Sequence, residues 1–475
     1  MTAVTDPLAT APVSAPERFF WGLRLIPRIE TYPAVLAFAK TFVGKLMILG
    51  LFGIGLWYLN WHYRALTLVL AVITAFPRHR RVLLTASTLV WACGLWWRWA
   101  DHPQLIQVAI VLVVAQLLFW LATGFRNSWF GRRPVAGLLA GFALLVLLAN
   151  YLPRGGSLRT VSWHFLTVAA AYLWFIAYSL LDISSKSCDP FTLQVGTYQP
   201  FWGSTAVPFV KGAAYLRRIE AQNAEQLAVT QLKGLKLLVW AVILNLFLWK
   251  AFLPVVHAYI GIPLYDDIFD LSMRRAAFPW YLGWASLIAH FFERLAELSI
   301  MGHRIVASCR MAGFMALRNT CRPLASRSIA EFWNRYYYYF KELLVDCFFY
   351  PTFMRYFKRR GHWRLFAATF AAASFGNAFY HFFSSLHYIE ELGFWRALEG
   401  FQSYIFYTIV LAVGISISQV RERKIENLSW IRGRLIPALC VTGFYCVLSI
   451  FGDSSKRYPI QECFRLLAHL VNLIH

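Results

Sequence analysis

Charged side chains are scarce in this chain, and acidic ones are scarcer still. Only 15% of the 475 residues are Asp, Glu, Lys or Arg, whereas soluble domains carry roughly 25%, so the composition excludes an ordinary soluble protein. The 46 Lys and Arg outnumber the 23 Asp and Glu, which in a soluble protein would indicate nucleic-acid binding. Here the basic residues cluster between apolar runs, where the positive-inside rule of membrane proteins accounts for them. We therefore expect no nucleic-acid partner.

Paired cysteines and a cleavable signal peptide are missing as well. The eight cysteines show neither a C-x-x-C pair nor a repeated spacing, so we expect no disulfide framework and no metal site. Residues 1–18 are rich in Ala, Pro and Thr and lack an apolar core. This composition predicts a disordered N-terminal tail, after which the first hydrophobic helix acts as an uncleaved insertion signal.

Long apolar runs fill most of the remaining sequence. The chain is 59% hydrophobic, with a mean hydropathy of +0.51. Runs of about 20 residues, the length that crosses a bilayer, recur from end to end. The sequence therefore predicts an all-α, polytopic transmembrane bundle of about 10 to 12 membrane segments, some of them re-entrant, in a single domain over 19–475. The expected segments lie near 33–59, 62–76, 82–100, 103–124, 134–153, 160–181, 235–260, 277–301, 332–351, 365–388, 400–420 and 435–451.

The basic loops predict an orientation in the membrane. If 332–351 is re-entrant, hairpins with a cytoplasmic N-terminus bring the basic stretches to one side, while Glu390 and Glu391 fall on the other. Arg154, Arg159, Lys456 and Arg457 run against this trend. We expect a multi-pass protein of the inner (cytoplasmic) membrane, in contact with lipid. The basic stretches are Arg18 to Arg28, Arg78 to Arg81, Arg126 to Arg133, His303 to Arg327, Arg355 to Arg364 and Arg421 to Arg434.

The stretch 182–234 is more polar and is interrupted by prolines and glycines. Irregular backbone at membrane depth is tolerated only against protein or a cavity, so 190–210 is interpreted as a broken or re-entrant element that lines a substrate chamber. Residues 217–234 carry several charges and predict a cytoplasmic amphipathic helix.

His381 is the most informative single residue. It lies in the apolar segment 366–386, where Tyr380 is the only other ionisable side chain, and an imidazole at membrane depth is by default a functional-site hypothesis. Polar side chains at offsets of −7, −4, +3, +4 and +7 from His381 predict one polar face of a helix, which must face protein or water: Ser374, Asn377, Ser384, Ser385 and Tyr388.

Two blocks of this region together resemble the membrane-bound O-acyltransferase (MBOAT) family. Phe332-Trp333-Asn334-Arg335 resembles its Phe-Trp-x-Arg motif, and the segment 376–381 resembles the one that ends in the family's histidine. Residues 311–333 resemble the stretch that leads into the motif, and 198–211, with Ala-Val-Pro208, resembles its Gly-Pro loop. The resemblance covers roughly residues 190–420 and is greatest to the bacterial branch that acetylates polysaccharides and cell walls.

The resemblance implies a chemistry and a set of site residues. His381 would be the general base of acyl transfer. Tyr337 stands where the family usually has His or Asn, so either its hydroxyl or Asn334, expected on the same helical face, would donate a hydrogen bond to the oxyanion. Interfacial packing of the tyrosines at 336–339 is an equal alternative. The residues expected to contact substrate are Asn377, Trp333, Arg335, Ser384 and Pro208.

The same resemblance implies the substrates. No cofactor would be tightly bound, and the acyl donor would be a thioester of coenzyme A or of an acyl carrier. A short acyl group would pass to a hydroxyl of a glycan, a lipid or a partner protein outside the cytoplasm. The alternative is a catalytically inactive scaffold or transporter-like protein of the same fold, which the departure at Tyr337 favours.

Two further sets of polar residues allow simpler readings. His290, Glu293, Arg294 and Glu297 have helical spacing and are expected to pair among themselves. Lys341 and Asp346 either line the pocket or pair with each other. Topology already accounts for the basic loops at 355–364 and 421–434, which would otherwise attract the phosphates of a donor or of lipid.

Overall fold

The fold is helical throughout the part of the chain that the computed structural model describes. That part comprises residues 26–59, 64–98, 104–183, 188–198, 211–420, 429–455 and 458–471. Over these ranges a single isolated bridge, between Glu220 and Phe314, is the only extended pairing. The expected all-α class is confirmed.

Within the described residues, six helices are long and apolar enough to cross a membrane, which makes this a polytopic helical membrane protein. They are Phe42–Leu59, Gln107–Gly124, Ser157–Asp182, Ala224–Tyr259, Gln402–Val420 and Ile431–Phe451, and the apolar helices Ala65–Ala75 and Pro134–Asn150 are shorter. Six is fewer than the number of segments predicted from the sequence. The difference arises because several of the predicted segments are short, broken or interrupted by charged residues.

The α-helices are interrupted or extended in several places by π-helical turns. In chain order they are α1 Pro33–Lys40, α2 Phe42–Leu59, α3 Arg64–Ala75, α4 Arg80–Arg98, α5 Gln104–Gly124, α6 Trp129–Arg132, α7 Pro134–Asn150, α8 Ser157–Asp182, α9 Phe191–Val195, α10 Ala213–Arg218, α11 Ala224–Leu246, α12 Tyr265–Met273, α13 Trp280–Met311, α14 Ile329–Tyr336, α15 Tyr338–Leu344, α16 Tyr350–Arg355, α17 Gly361–Phe370, α18 Asn377–Ser384, α19 Leu386–Leu392, α20 Phe394–Glu399, α21 Gln402–Val420, α22 Ile436–Leu448 and α23 Ile460–Leu470.

The separate amphipathic helix expected over 217–234 is not formed. Helix α11 begins at Ala224, after the Asn223 side chain accepts a hydrogen bond from the Gln226 amide at 2.8 Å, and it continues through π turns to Tyr259. Glu225 and Lys233 on this helix are exposed, but several of its other polar residues are buried against neighbouring helices. Buried Gln231, for example, donates to the Thr74 hydroxyl and to the Met311 carbonyl, each at 3.1 Å. The polar residues of 217–234 are typical of a solvent-exposed helix. Polar side chains are also needed for hydrogen bonds inside a bundle, so their presence does not distinguish the two environments.

Residues from two of the predicted basic stretches lie together at one end of the bundle. The Arg80 guanidinium donates to the carbonyls of Gly313 at 2.9 Å and Ala221 at 3.1 Å. Arg81 and Arg217 both pair with Asp189, each at 3.1 Å. The loops that carry Arg78 to Arg81 and His303 to Arg327 therefore lie at the same end.

Arg159, one of the basic residues that run against the charge trend, lies at the other end. It is buried and donates to the carbonyls of Asn150 and Leu152, each at 3.1 Å, and to that of Glu390 at 2.9 Å. These are carbonyls at the end of α7 and within α19, which a basic side chain satisfies well. Its charge therefore has a structural use that the positive-inside rule does not consider.

The region 329–355 is a broken helix rather than a continuous one. Helix α14 ends at Tyr336, Tyr337 adopts φ −139° and ψ 63°, and α15 starts at Tyr338. Residues 319–321 satisfy the freed backbone groups, since Thr320 donates to the Tyr336 carbonyl at 2.8 Å and the Asn319 carbonyl accepts from Tyr338 at 3.0 Å. A break in the middle of the bundle is tolerated because another loop completes its hydrogen bonds.

The segment that carries His381 is broken too. It runs from α17 through a π-helical stretch, Ala371–Gly376, into α18, and leaves helical geometry at Ser385. A Cβ atom at Gly376 would lie 2.6 Å from the Phe348 ring, so only glycine permits this approach of the two broken segments. This close packing brings α18 beside α15.

Candidate functional site

His381 lies on α18, partly buried among aromatic rings from three elements. Its ring centroid is 4.8 Å from that of Tyr404 on α21, 5.0 Å from that of Tyr380 and 5.6 Å from that of Phe340 on α15. Its Nδ1 atom is 3.3 Å from the hydroxyl oxygen of Ser454, in the turn after the last apolar helix. The imidazole is thus enclosed on several sides and has one polar partner at Nδ1.

Asn377 is fully buried one turn before His381 and bonds to a tyrosine. The Tyr404 hydroxyl donates to the Asn377 side-chain oxygen at 3.2 Å. No partner among the described residues accepts from the Asn377 side-chain nitrogen. The structure therefore places Asn377 beside the imidazole, with a spare donor, and gives it Tyr404 rather than His381 as its hydrogen-bond partner.

Tyr337 sits at the break between α14 and α15 and is buried. Its ring centroid is 5.0 Å from that of Phe340, which also contacts His381, and its electrostatic neighbours are Tyr380, Tyr336 and Tyr404. Its hydroxyl has no hydrogen-bond partner over the described ranges. A buried hydroxyl with no partner costs free energy unless water or a ligand satisfies it.

The alternative that the four tyrosines are surface aromatics does not hold for two of them. Tyr337 and Tyr339 are buried, at 9% and 0% exposure, and the Tyr339 hydroxyl donates to the Leu317 carbonyl at 3.1 Å. Tyr336 and Tyr338 are partly buried. This cluster is built into the bundle rather than lying on its surface.

Asn334 does not accompany Tyr337. It is exposed on α14, whereas its neighbours Phe332 and Trp333 are buried. The expectation that Asn334 and Tyr337 share a helical face was wrong, because the helix ends at Tyr336 and the backbone of Tyr337 turns away from it.

The other residues expected to contact substrate mostly have structural partners. Trp333 packs with its ring centroid 6.0 Å from that of Phe340. Arg335 pairs with Glu331 at 2.7 Å. The Ser384 hydroxyl donates to the backbone carbonyl of His381 at 2.9 Å, which caps α18 rather than contacting the imidazole. Pro208 lies outside the described residues.

The single polar face predicted around His381 is not continuous. Ser374 lies in the π-helical stretch and Ser385 lies at the break after α18, so the 3.6-residue period fails on both sides. Tyr388, on α19, nevertheless reaches the same turn as His381, since its hydroxyl donates to the Ser455 carbonyl at 2.5 Å.

Sequence reasoning missed Ser454 and Tyr404. Gly452-Asp453-Ser454-Ser455 has turn composition after the last apolar run, which predicts a turn and nothing about its neighbours. Tyr404 and His381 belong to different helices with no spacing relation. Both residues join the site through tertiary packing alone.

A second polar cluster within the bundle consists of side chains that pair with one another. The Lys211 ammonium is 2.6 Å from a carboxylate oxygen of Asp346, which also accepts from the Tyr178 hydroxyl at 2.9 Å. Lys341 pairs with Glu342, so of the two alternatives for Lys341 and Asp346 the direct pairing of these two residues is not formed. Lys211 is also 3.5 Å from Glu342. We call Lys211, Asp346, Tyr178, Lys341 and Glu342 the ionic cluster.

The charged residues on α13 pair among themselves, as expected. His290 lies 3.7 Å from Glu293, and Arg294 lies 3.1 Å from Glu297. Over the described ranges, no group of three or more His, Cys, Asp and Glu side chains is arranged to hold a metal ion.

No protein-family model matches the chain, and no curated protein matches it either. What is established is therefore the class: a polytopic helical membrane protein with six candidate spans. The arrangement around His381 has to support any function by its own geometry.

Proposed function

We propose that this protein is an O-acyltransferase of the cytoplasmic membrane, which moves a short acyl group from a thioester to a hydroxyl with His381 as general base. The observation that carries the proposal is an imidazole with its Nδ1 atom 3.3 Å from the Ser454 hydroxyl, in a region where two buried donors, the Tyr337 hydroxyl and the Asn377 side-chain nitrogen, lack partners among the described residues. The resemblance of the segments 332–335 and 376–381 to the MBOAT family supports acyl transfer to a hydroxyl as the type of reaction.

The base step uses the free nitrogen of the ring. With Nδ1–H donated to Ser454, Nε2 keeps its lone pair and takes the proton of the acceptor hydroxyl as its oxygen attacks the thioester carbonyl. The carbon–sulfur bond then breaks, and the imidazolium returns the proton to the departing thiolate. The products are an ester and a free thiol.

The unpartnered donors suit the charge that develops on the carbonyl oxygen. The Tyr337 hydroxyl is the first of them, and the Asn377 side-chain nitrogen, one turn before His381, is the second. Fixed donors that meet a charge only as it forms are a principal source of catalysis in enclosed sites. Both side chains are buried, so solvent competes little for them.

The two ends of the bundle suggest how the substrates approach. The basic end, with Arg78 to Arg81 and Arg217, would attract an acyl donor that carries phosphate groups, as coenzyme A and acyl carriers do. The acceptor hydroxyl, on a glycan, a lipid or a partner protein, would approach from the opposite end, where the turn that carries Ser454 lies.

An inactive scaffold of the same fold is the second candidate. The observation that favours it is Tyr337 in place of the His or Asn that the resemblance leads one to expect. Thioester turnover separates the two functions, because a scaffold releases no thiol.

The test is thiol release by purified protein in detergent, from acetyl-coenzyme A and from acetylated acyl carrier, with and without model hydroxyl acceptors. We expect release with the wild type and a fall of about 10²–10⁴-fold for His381→Ala, the usual range for a lost general base. His362→Ala is the matched control, because His362 is exposed on α17 in the same broken segment. Absence of release by the wild type from both donors, or retention of more than about a tenth of it by His381→Ala, contradicts the proposal.

A further inference from the structure

The turn after the last candidate span is fixed by its own side chains. The Asp453 carboxylate accepts from the Ser455 amide at 2.8 Å and from the Ser455 hydroxyl at 2.5 Å. This is the local pattern by which an aspartate holds the chain after it in a turn. Ser454, between these two residues, consequently has a defined direction.

Packing anchors the same turn to the bundle. Ile450 and Phe451, immediately before it, are buried at 1% and 3% exposure, and the Phe451 ring centroid is 4.8 Å from that of Phe406 on α21. A Cβ atom at Gly452 would lie 3.2 Å from the Tyr407 ring, so the backbone rests against α21. The start of the turn is therefore packed against α21.

Two contacts connect this turn to the segment that carries His381. The Ser454 hydroxyl is 3.3 Å from the His381 Nδ1 atom, and the Tyr388 hydroxyl donates to the Ser455 carbonyl at 2.5 Å. The second contact lies one residue from the first, and Tyr388 is seven residues beyond His381. Tyr388 therefore holds the turn in place across the break at Ser385.

We propose that Ser454 is a positioning residue for His381, whose hydroxyl accepts the Nδ1–H and so selects the tautomer that leaves Nε2 free as the base. The proposal rests on the proposed function, because only a general base needs a free Nε2 atom. The tautomer that it predicts can nevertheless be measured without any activity. If Ser454 instead donated to Nδ1, the proton would reside on Nε2 and the ring could not take a proton from the acceptor hydroxyl at that atom.

The first measurement is the tautomer itself, by nitrogen-15 NMR of histidine-labelled protein in detergent, with His381→Gln used to assign the signal. We expect Nδ1 protonated and Nε2 bare in the wild type. Ser454→Ala should give a mixture of the two tautomers, and Ser454→Thr, which keeps the hydroxyl, should restore the wild-type signal. A wild-type ring with its proton on Nε2, or a signal unchanged in Ser454→Ala, overturns the proposal.

The second measurement is thioester turnover by the same variants. Ser454→Ala should lower kcat about 10–100-fold with little change in KM, because the substrate still binds while the base is misoriented, and Ser454→Thr should recover most of it. Ser449→Ala is the control, since the Ser449 hydroxyl bonds to the Cys446 carbonyl and not to the site. Equal damage by the two alanine variants would reduce Ser454 to a folding role.

The two measurements distinguish an error in the proposed function from an error in the proposed role of Ser454. If the wild type releases no thiol but Ser454→Ala still changes the tautomer, the acyltransferase function is wrong and the positioning role stands. If the wild type turns over thioester and the tautomer ignores Ser454, the function stands and the positioning role is wrong.

Discussion

Two polar clusters lie inside this bundle, and they differ in how completely their hydrogen bonds are made. In the ionic cluster, two lysines meet two carboxylates, and the Asp346 carboxylate also accepts from Tyr178. Around His381, the Tyr337 hydroxyl and the Asn377 side-chain nitrogen have no partner within the described ranges. A buried polar group in a bundle usually finds a partner. Other buried polar atoms in the described ranges also lack one, so what distinguishes the region of His381 is that Tyr337 and Asn377 both offer a spare donor there.

The comparison therefore assigns different roles to clusters that look alike in the sequence. Both place ionisable residues in apolar surroundings, which by itself suggests function. Internal pairing in the ionic cluster indicates a contribution to stability, whereas the spare donors near His381 indicate a contribution to activity. Mutations should separate the two roles.

The largest effect on folding is expected from Asp346→Ala. It leaves the buried Lys211 ammonium with Glu342, at 3.5 Å, and with the ring of Tyr178, whose centroid is 5.0 Å away. Loss of one partner of a buried pair typically costs about 3–5 kcal/mol. We expect the retained interactions to keep the fall in the free energy of unfolding near the lower value, measured by thermal or denaturant unfolding in detergent.

Two further variants give that experiment its controls. Glu462→Ala breaks the more exposed pair with Arg465, at 2.6 Å, and should cost less than about 1 kcal/mol. Replacing both residues, Lys211→Met with Asp346→Leu, should recover much of the lost stability, since no charge is then left unpaired. Wild-type stability in Asp346→Ala would remove the basis for treating the ionic cluster as structural.

Tyr337→Phe should do the reverse, lowering activity without lowering stability. It deletes a hydroxyl that has no partner over the described ranges and keeps the ring that packs on Phe340. Loss of one oxyanion donor typically costs about 10²–10³ in kcat, and we expect this size of effect on thiol release.

Asn334→Ala is the matched control for Tyr337→Phe, because Asn334 is nearby in sequence and exposed. It should leave both turnover and unfolding near wild type. If Tyr337→Phe left thiol release unchanged and Asn334→Ala strongly reduced it, Asn334 would be the oxyanion donor. The exposed position of Asn334 would then not exclude it from the site.

The smallest effect on stability is expected at Glu30, a carboxyl that, like those of the ionic cluster, is paired with a lysine. Burial alone would raise the pKa of this carboxyl, but hydrogen bonds and the charge of Lys236, 2.7 Å away, hold the pKa below its ordinary value. A depressed pKa means that the stabilisation is complete above the unfolded-state pKa, about 4.3 for Glu, and is lost as the pH falls through the folded-state value.

The measurement for Glu30 is the free energy of unfolding between neutral pH and about pH 3, below the ordinary Glu pKa. Glu30→Gln should be less stable than the wild type at neutral pH, and the gap should narrow as the pH falls. A gap that does not change with pH would mean that the pair with Lys236 adds no stability through its charge.

Much of the architecture and part of the site could be predicted from the sequence. Apolar length predicts spanning helices regardless of their neighbours, and the isolation of His381 in apolar sequence marks it whatever packs against it. The predictions that failed all assumed unbroken helices or local pairing. Asn334 was grouped with Tyr337 across a helix end, Ser385 with His381 across a break, and Lys341 with Asp346 although each has another partner.

By itself the sequence determined that this is a helical membrane protein with a histidine in a long apolar segment, because hydropathy and helix length depend only on consecutive residues. Tertiary structure decided what surrounds that histidine. Ser454 is 73 residues from His381 in the chain, and Tyr404 is 27 residues from Asn377. Whether a buried hydroxyl such as that of Tyr337 finds a partner depends on where helices break and how they pack. Both are set by contacts between distant parts of the chain, so the neighbouring sequence does not determine them.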